Sequence, residues 1–337
     1  MSLLPGSDLR IGITLGDPAG VGPEITAKAL LGKQIEGIVP VVIARGEVLS
    51  RYHRELHDSL ETIDPHEGDT RRTPGGGRRG FLADIRADFP MPEPGCGTVY
   101  TGGESRMYID AAVEMWKTGK IDAVVTGPVN KSFVEKSGCR FTGHTEYIAE
   151  AIGEKDPFMM MFSPEYRVIL ATTHIPLSMV EHSLTPERLV KTIETGRLAL
   201  SAIDGEDPAI AVCGLDPHCG DDGAIGEFDR RVTAEAVFKA RERGAKVQGP
   251  FAADTLFLPS RWKQYRLAVA QYHDQGLIPF KLLAFERGVN VTLGISMVRT
   301  SVDHGTAYDI AGKGIAGHSS MVEALRLGAR LALEKRR

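Results

Sequence analysis

The stretch Val168-Ile169-Leu170-Ala171-Thr172-Thr173-His174 joins a short apolar, β-branched run to a histidine at its carboxyl end. Residues 209–217 lead into His218 in the same way, and residues 267–272 lead into His273. Short apolar runs bounded by Pro, Gly or Asp are typical of buried parallel strands. In open α/β sheets, ligands bind outside the carboxyl ends of the strands. Three imidazoles at such an edge predict a divalent metal with open coordination positions, and so catalysis more than structure.

Strand-like and helix-like patterns alternate throughout the chain, which predicts βαβ units and a mostly parallel sheet of the α/β class. Thr185-Pro186-Glu187 opens a helix with a threonine cap, a proline in the first turn and an early acidic residue. The other predicted elements are strands over residues 9–15, 39–44 and 123–125 and helices over residues 23–31, 230–243 and 320–335.

Length and composition limit the classes of protein to consider. The 337 residues exceed what one hydrophobic core usually supports, so two lobes are expected. A net charge of −4 without a basic face argues against nucleic-acid binding. No apolar stretch approaches the roughly 20 residues that span a bilayer, and the first residues do not form a signal peptide. The four cysteines form no C-x-x-C pair, so reduced thiols in a cytoplasmic protein are expected.

Each histidine also has a structural interpretation. A single buried histidine more often caps a strand or forms a hydrogen bond in the core, but three at equivalent positions favour joint metal ligation. Imidazoles suit Zn²⁺ and other transition ions. Asp254 and Asp274 are candidates to orient the imidazole rings, and Cys219 is an alternative soft ligand.

A second set of residues indicates an anionic ligand. Lys281, Asn290 and Arg299 follow His273 in apolar surroundings, where we expect them to interrupt buried strands. An unpaired buried cation is costly, so a phosphate or carboxylate group is the economical explanation. His144 and Thr145 open a helical stretch, where Thr145 or a neighbour either caps the helix or helps to bind a polar substrate.

Two loops are candidates for holding a phosphate-containing cofactor. The segment from Thr300 to Ala307 is small, rich in hydroxyl groups and expected to lead into a helix, so it could present N–H groups to a pyrophosphate. Gly16 to Glu24 follows the first strand and starts a helix, without the Lys-Ser/Thr of a Walker A sequence. Gly75, Gly77 and Gly80 match G-x-G-x-x-G, but no strand precedes them, so this match is spurious.

Taken together, these stretches resemble the 4-hydroxythreonine-4-phosphate dehydrogenase (PdxA) family. The resemblance extends in order from residue 14 to residue 307. The matching stretches are Thr14–Glu24, Thr126–Lys131, Gly143–Glu146, Thr172–His174, Pro217–His218, Tyr272–Gly276 and Thr300–Ala307.

The resemblance implies a two-lobed fold like that of the isocitrate and isopropylmalate dehydrogenases, with the active site in the interlobe cleft. The implied lobes are residues 1–128 plus 290–337, which carry the nucleotide loop, and residues 129–289, which carry the histidines and the dimer contacts. It also implies a homodimer with shared active sites.

The resemblance assigns a role to each candidate residue. The metal ligands would be His174, His218 and His273, with catalytic support from Asp254 and Asp274. Zn²⁺ is the first expectation, and Mg²⁺, Co²⁺ and Mn²⁺ are alternatives. The substrate, a small phosphorylated hydroxy acid, would contact His144, Thr145, Lys281, Asn290 and Arg299. NAD or NADP would lie against Thr300, Ser301, Asp303, His304, Gly305 and Thr306.

The implied reaction is oxidation of 4-phosphohydroxy-L-threonine to a 3-oxo acid that decarboxylates, a step of pyridoxal phosphate biosynthesis. The stretch Ile278–Phe285 is more similar to the branch acting on 4-phospho-D-threonate and 4-phospho-D-erythronate, whereas Thr172–Leu177 is more similar to the biosynthetic enzymes. Both substrates stay open. A three-histidine zinc hydrolase or lyase and a non-enzymatic phosphate-binding module are the alternatives from other classes.

Overall fold

A computed structural model describes residues 8–32 and 35–336. By their contacts the residues form two units, one of Met1–Pro157 with Ile295–Arg337 and one of Phe158–Gly294. This division groups residues 129–157 with the first unit, whereas the lobes expected from the sequence assign them to the second. The expected lobe boundaries stay a prediction.

The first unit alternates strands and helices up to residue 157. Its elements there are β1 (Leu9–Thr14), α1 (Gly22–Leu31), β2 (Ile38–Ala44), α2 (Gly46–Tyr52), α3 (Arg54–Asp58), β3 (Leu60–Ile63), β4 (Gly80–Asp84), α4 (Val99–Lys117), β5 (Ala123–Thr126), α5 (Lys131–Lys136) and α6 (His144–Ala151).

The second unit follows, and the chain then returns to the first. The second unit contains β6 (Phe158–Phe162), β7 (Arg167–Leu170), α7 (Val180–Ser183), α8 (Pro186–Asp204), β8 (Ile210–Cys213), α9 (Ala234–Glu242), β9 (Val247–Phe251), α10 (Ala253–Leu256), α11 (Pro259–Trp262), β10 (Leu267–Ala270), α12 (His273–Ala284) and β11 (Val289–Leu293). The first unit ends with β12 (Val298–Val302) and α13 (Ser319–Arg336).

The strands confirm the predicted α/β class with mostly parallel pairing. In the first unit the strand order is β3-β4-β2-β1-β5-β12, and these neighbours pair in parallel. In the second unit the order is β11-β6-β7-β10-β8-β9. There β6 is antiparallel to β11 and β7, and the other neighbours are parallel.

The three strands expected to lead into histidines are neighbours in the second unit. Strand β10 lies between β7 and β8, with Ala268 opposite both Val168 and Ala211. All residues of these three strands are buried, as their apolar composition predicts. Because the strands are parallel, their carboxyl ends meet at one edge of the sheet.

Local capping rules explain how the long helix α8 begins and ends. The Thr185 hydroxyl accepts a hydrogen bond from the backbone N–H of Arg188 at 3.1 Å, and Pro186 is the first helical residue. The helix ends at Gly205, whose left-handed φ of 75° suits glycine. The helix predicted over residues 230–243 is in two parts, a π-helical turn over Asp229–Thr233 followed by α9.

Across residues 8–32 and 35–336, none of the helices combines the length and the apolar character needed to cross a membrane.

Candidate active site

A buried arginine is the centre of a group of polar side chains in the first unit. Arg299, on β12, is 3% exposed. Its Nε and Nη2 donate to the Thr126 hydroxyl at 3.1 and 2.8 Å, and its Nη1 donates to the Thr145 hydroxyl at 3.4 Å. Burial lowers the pKa of Arg299 to about 9, while the nearby Glu146 carboxylate acts to raise it. The guanidinium therefore stays charged at neutral pH.

His144 lies beside this arginine as the first residue of α6. Burial, followed by the charges of Arg299 and Lys131, holds the pKa of His144 well below its usual value. The ring is therefore neutral and can donate a hydrogen bond from one nitrogen only. Its Nε2 is enclosed and has no hydrogen-bond partner among the described residues. An incoming ligand could satisfy this atom.

We call Lys131, His144, Thr145 and Arg299 the cationic pocket. The Thr145 hydroxyl accepts from Arg299, and no side chain caps α6, so the alternative that Thr145 caps the helix is wrong. Lys131 was not among the predicted site residues, although it belongs to Thr126–Lys131, one of the stretches that carry the family resemblance. Sequence spacing gives no sign that residue 131 and residue 299 act on the same histidine.

We call His174, His218 and His273 the histidine edge of the second unit. The rings of His174 and His273 lie with their centroids 5.8 Å apart. Asp274 Oδ1 is 2.7 Å from Nδ1 of His273. This carboxylate orients the ring and leaves Nε2 as the nitrogen that could ligate a metal. The orienting role expected of Asp274 towards a metal ligand stays a prediction.

His218 lies in an unusual loop. Successive residues His218, Cys219, Gly220, Asp221 and Asp222 have φ values of 53°, 59°, 86°, 47° and 52°. Left-handed backbone costs non-glycine residues of the order of 1 kcal/mol each, so the loop has to be held by other contacts. Strain of this kind is often found at functional sites.

One chain does not bring the three imidazoles together. Among residues 8–32 and 35–336, no group of three or more His, Cys, Asp or Glu is arranged to hold a metal ion. His174, His273 and the carboxylate on His273 have the donor chemistry of a transition-metal site. They lack the third ligand that such a site requires.

The remaining candidates in the second unit have different surroundings. Asp254, on α10, is exposed and acts electrostatically on Cys219. Burial and nearby carboxylates raise the pKa of Cys219 to about 11. The role of Cys219 as a soft ligand stays a prediction. Asn290 is half-buried on β11.

The expectation that Lys281 interrupts a buried strand is wrong. Lys281 is exposed and lies on helix α12, with its ammonium group 5.7 Å from the centre of the Phe285 ring. The strand was expected because the neighbouring residues are apolar, but these residues, Pro279 included, belong to the helix. The substrate contact expected of Lys281 stays a prediction.

The predicted nucleotide loop differs from expectation in where it begins and ends. Thr300 and Ser301 are buried in β12, and the Thr300 hydroxyl donates to the backbone oxygen of Ala324. The loop begins at Asp303, and the next helix starts only at Ser319. The expectation of a helix directly after Ala307 is therefore wrong. The more accessible candidates are Asp303, His304, Gly305 and Thr306.

The loop after β1 holds this segment in place. The backbone N–H of Val21 donates to Thr306 O at 2.9 Å. The Tyr308 hydroxyl donates to Asp17 Oδ2 at 2.6 Å. Asp17 is fully buried and also accepts from the Ala19 N–H at 2.9 Å and the Thr101 hydroxyl at 3.1 Å. Burial raises the pKa of Asp17 despite these bonds.

Helix α1 holds the end of the same segment. Glu24, which is 5% exposed, accepts hydrogen bonds from the backbone N–H groups of Gly314 and Ala316 at 3.2 and 2.8 Å. Lys28 donates to the carbonyl oxygens of both residues and to Glu24. We call residues 303–316 the anchored segment.

The fold and these residues define an α/β protein that has the cationic pocket in one unit and the histidine edge in the other. Residues 36–328 match the family described as pyridoxal phosphate biosynthetic protein PdxA. The chain belongs to the PdxA family. It is a dehydrogenase acting on a CH–OH group.

Relatives with two different names are about equally similar. The 4-hydroxythreonine-4-phosphate dehydrogenase of Desulforapulum autotrophicum is 40% identical, over 95% of this chain and 94% of its own. The D-threonate 4-phosphate dehydrogenase of Cupriavidus necator is 39% identical, over 96% of this chain and 98% of its own. A solved 4-hydroxythreonine-4-phosphate dehydrogenase from Burkholderia phymatum is 39% identical, with a TM-score of 0.76 over 96% of this chain and 98% of its own.

Proposed function

We propose that this dehydrogenase oxidises 4-phosphohydroxy-L-threonine with NAD or NADP. The product is a 3-oxo acid that loses CO₂ to give 3-amino-2-oxopropyl phosphate. The observation that carries the proposal is the cationic pocket, which holds a buried guanidinium beside a neutral histidine whose Nε2 has no partner among the described residues.

The cationic pocket suits a phosphorylated acid. Arg299 can donate two parallel hydrogen bonds from its planar guanidinium to a phosphate or carboxylate. The exposed Lys131 adds a second positive charge. Neutral His144 can donate to the same anion without the cost of protonating a buried ring beside two cations. Of the other predicted contacts, half-buried Asn290 is suited to a substrate hydroxyl or amino group, and Lys281 to a second anionic group.

For the metal we propose a site completed by a second copy of the chain. His174 and His273 would supply two ligands and His218 of the partner copy a third, or the reverse. Helix α12 begins with His273 and exposes Ile278 and Leu282 by 59% and 82%, and Phe285, directly after the helix, is 55% exposed. Exposed apolar residues next to a predicted ligand support a homodimer contact there. Zn²⁺ is the ion that best suits three imidazoles.

Each group of residues has one task in the proposed reaction. When bound, the ion would polarise the C3 hydroxyl of the substrate as a Lewis acid. Asp274 would hold His273 in one orientation, and Asp254 would help to maintain the site. The anchored segment would hold NAD(P), which accepts the hydride from C3. The cationic pocket would keep the substrate oriented through oxidation and loss of CO₂.

D-Threonate 4-phosphate is the second candidate substrate. It is favoured by the stretch Ile278–Phe285 and by relatives of that name with nearly the same identity as those named for the threonine derivative. Its oxidation and decarboxylation would give dihydroxyacetone phosphate and CO₂. The two acids differ at C2, where one carries an amino group and the other a hydroxyl. The relatives are named as dehydrogenases, which argues against a zinc hydrolase or lyase.

The deciding experiment is a comparison of kcat/KM for 4-phosphohydroxy-L-threonine, 4-phospho-D-threonate and 4-phospho-D-erythronate, measured by NAD(P)H absorbance with added Zn²⁺. We expect the first to exceed the others by about tenfold or more, a difference of about 1.4 kcal/mol in transition-state binding. A tenfold preference for either of the other acids would replace our substrate with that acid. No NAD(P)H from any of the three would refute the proposal.

A further inference from the structure

A buried glutamine lies where the three histidine-bearing strands end. Gln271 follows β10, is 0% exposed and precedes His273 by two residues. Its side-chain Nε2 donates to Cys213 O at 2.7 Å, to the Thr233 hydroxyl at 2.9 Å and to Asp229 Oδ1 at 3.4 Å. Cys213 O and Asp229 Oδ1 can only accept, so the amide nitrogen has to face them. Gln271 is thus linked to the end of β8, which leads to His218.

The same residue is linked to the strand that leads to His174. The backbone oxygen of Gln271 accepts from the N–H of Thr172 at 3.2 Å and from its hydroxyl at 2.7 Å. Thr172 precedes His174 by two residues, just as Gln271 precedes His273. The chain positions before His174 and His273 are therefore joined directly.

A second glutamine reinforces the link towards His218. Gln275 Oε1 accepts from the Gln271 N–H at 2.7 Å, and Gln275 Nε2 donates to Gly214 O at 2.7 Å. Both ends of this side-chain amide are therefore used to join the residue after β10 to the residue after β8.

Asp229 continues the network into the loop that contains His218. Its carboxylate is 0% exposed and accepts from the Leu215 N–H at 2.9 Å, the Asp216 N–H at 2.9 Å and the Thr233 hydroxyl at 2.6 Å. Asp216 in return accepts from the Phe228 N–H at 3.2 Å. These contacts fix the backbone on both sides of residues 218–222. They therefore stabilise the strained segment that contains His218.

The network does not have the form expected of a purely stabilising one. The Gln271 Oε1 atom is buried and has no hydrogen-bond partner among the described residues. An unsatisfied buried acceptor costs roughly 1–3 kcal/mol, so an apolar residue of similar length would relieve one penalty while removing the Nε2 hydrogen bonds. Such a change should therefore alter the free energy of unfolding only in part, because the gain and the loss oppose each other. Its effect on the relative positions of the strand ends has no such compensation.

We propose that Gln271 is the central positioning residue of the histidine edge. Its side-chain amide, through Cys213 and the Asp229–Thr233 pair, fixes the end of β10 relative to the end of β8. Its backbone oxygen adds the contact with Thr172 after β7. It touches neither the metal nor the substrate, and it acts through His174, His218 and His273. The inference rests on the proposed metal role of these histidines.

The test is Zn²⁺ affinity of the demetallated full-length protein, measured by competition with a chromophoric chelator. The variant is Gln271→Met, which keeps the side-chain length and removes the amide. We expect Zn²⁺ to bind about 10–100-fold more weakly, the range found when residues that orient metal ligands are replaced. Co²⁺ substitution should give a d–d absorption spectrum that differs from that of the native protein, because the ligand geometry changes.

Thr192→Val is the matched control. Thr192 is 0% exposed in the same unit, and its hydroxyl donates to Arg188 O at 2.8 Å, within helix α8. We expect its Zn²⁺ affinity to stay within twofold of native. Native-like Zn²⁺ affinity and Co²⁺ spectrum in Gln271→Met would overturn the proposal, whatever the change in urea unfolding.

Two further variants keep the test decisive. If Gln271→Met does not fold, Thr172→Val removes only the 2.7 Å hydroxyl contact with Gln271 O. It should weaken Zn²⁺ binding severalfold, and an unchanged affinity would count against the proposal. His218→Ala tests the underlying function, since undiminished Zn²⁺ binding in that variant would refute the histidine metal site itself, independently of Gln271.

Discussion

The hydrogen bond between Tyr308 and Asp17 offers a direct test of the anchored segment. Tyr308→Phe removes one hydroxyl and leaves the ring. Asp17 keeps its bonds from Ala19 and Thr101, and the segment stays attached through Val21 and Glu24. The fold should therefore persist, while the middle of the segment loosens.

The size of the effect follows from the acceptor. A hydrogen bond to a charged group contributes about 1.5–3 kcal/mol, and Asp17 is a fully buried carboxyl. Tyr308 is only half-buried, so water can replace part of the bond, and we take the lower end. About 1.5 kcal/mol corresponds to roughly a tenfold rise in KM for NAD or NADP. The kcat value should change much less, since the proposed substrate contacts are at other residues.

The assay is initial-rate kinetics with NAD⁺ and NADP⁺ varied separately, together with urea unfolding. Tyr52→Phe is the control, because the hydroxyl of half-buried Tyr52 donates to the neutral Pro92 O at 2.8 Å and not to a residue of the anchored segment. The reasoning fails if Tyr308→Phe keeps its nucleotide KM within twofold of native while it loses as much stability as Tyr52→Phe.

Three other predictions follow from buried charges. Arg299→Lys should raise KM for the phosphorylated acid about tenfold, because an ammonium cannot reproduce the planar fork; initial rates with an unchanged KM would contradict this. Arg45→Met should cost about 3–5 kcal/mol in urea unfolding by leaving Glu104 buried without the guanidinium 3.3 Å away, and adding Glu104→Gln should recover part of the loss. The pKa of His144 is lowered in the folded state, so the unfolded chain alone takes up this proton as pH falls below the ordinary value of 6.5. Stability should therefore decrease from about pH 7.5 to about pH 5.5, and less steeply in His144→Asn; parallel urea-unfolding curves for native and variant would exclude that contribution.

The strands were predictable because their residues are buried on both faces. A run such as Val168–Leu170 is continuously apolar, as parallel strands between layers of helices are, and a histidine follows each of the three runs. The start of α8 was equally readable, since Thr185 and Pro186 follow local capping rules that need no tertiary context.

Other features could not be predicted, because they depend on contacts between residues that are distant in the sequence. Lys281 was expected to interrupt a strand because its neighbours are apolar, yet the residues around it form α12. Gln271 and Asp229 are polar residues in a core, and nothing near them in sequence shows that they face each other. Lys131 acts on a histidine from a separate helix.

The division of the chain has a consequence for its synthesis. The second unit is one continuous segment, Phe158–Gly294, whereas the first is completed only by Ile295–Arg337. On the ribosome, the second unit therefore has all of its strands while β5 of the first still lacks its neighbour β12 and the covering helix α13. The sheet of the first unit is therefore completed only after the whole of the second unit has been synthesised.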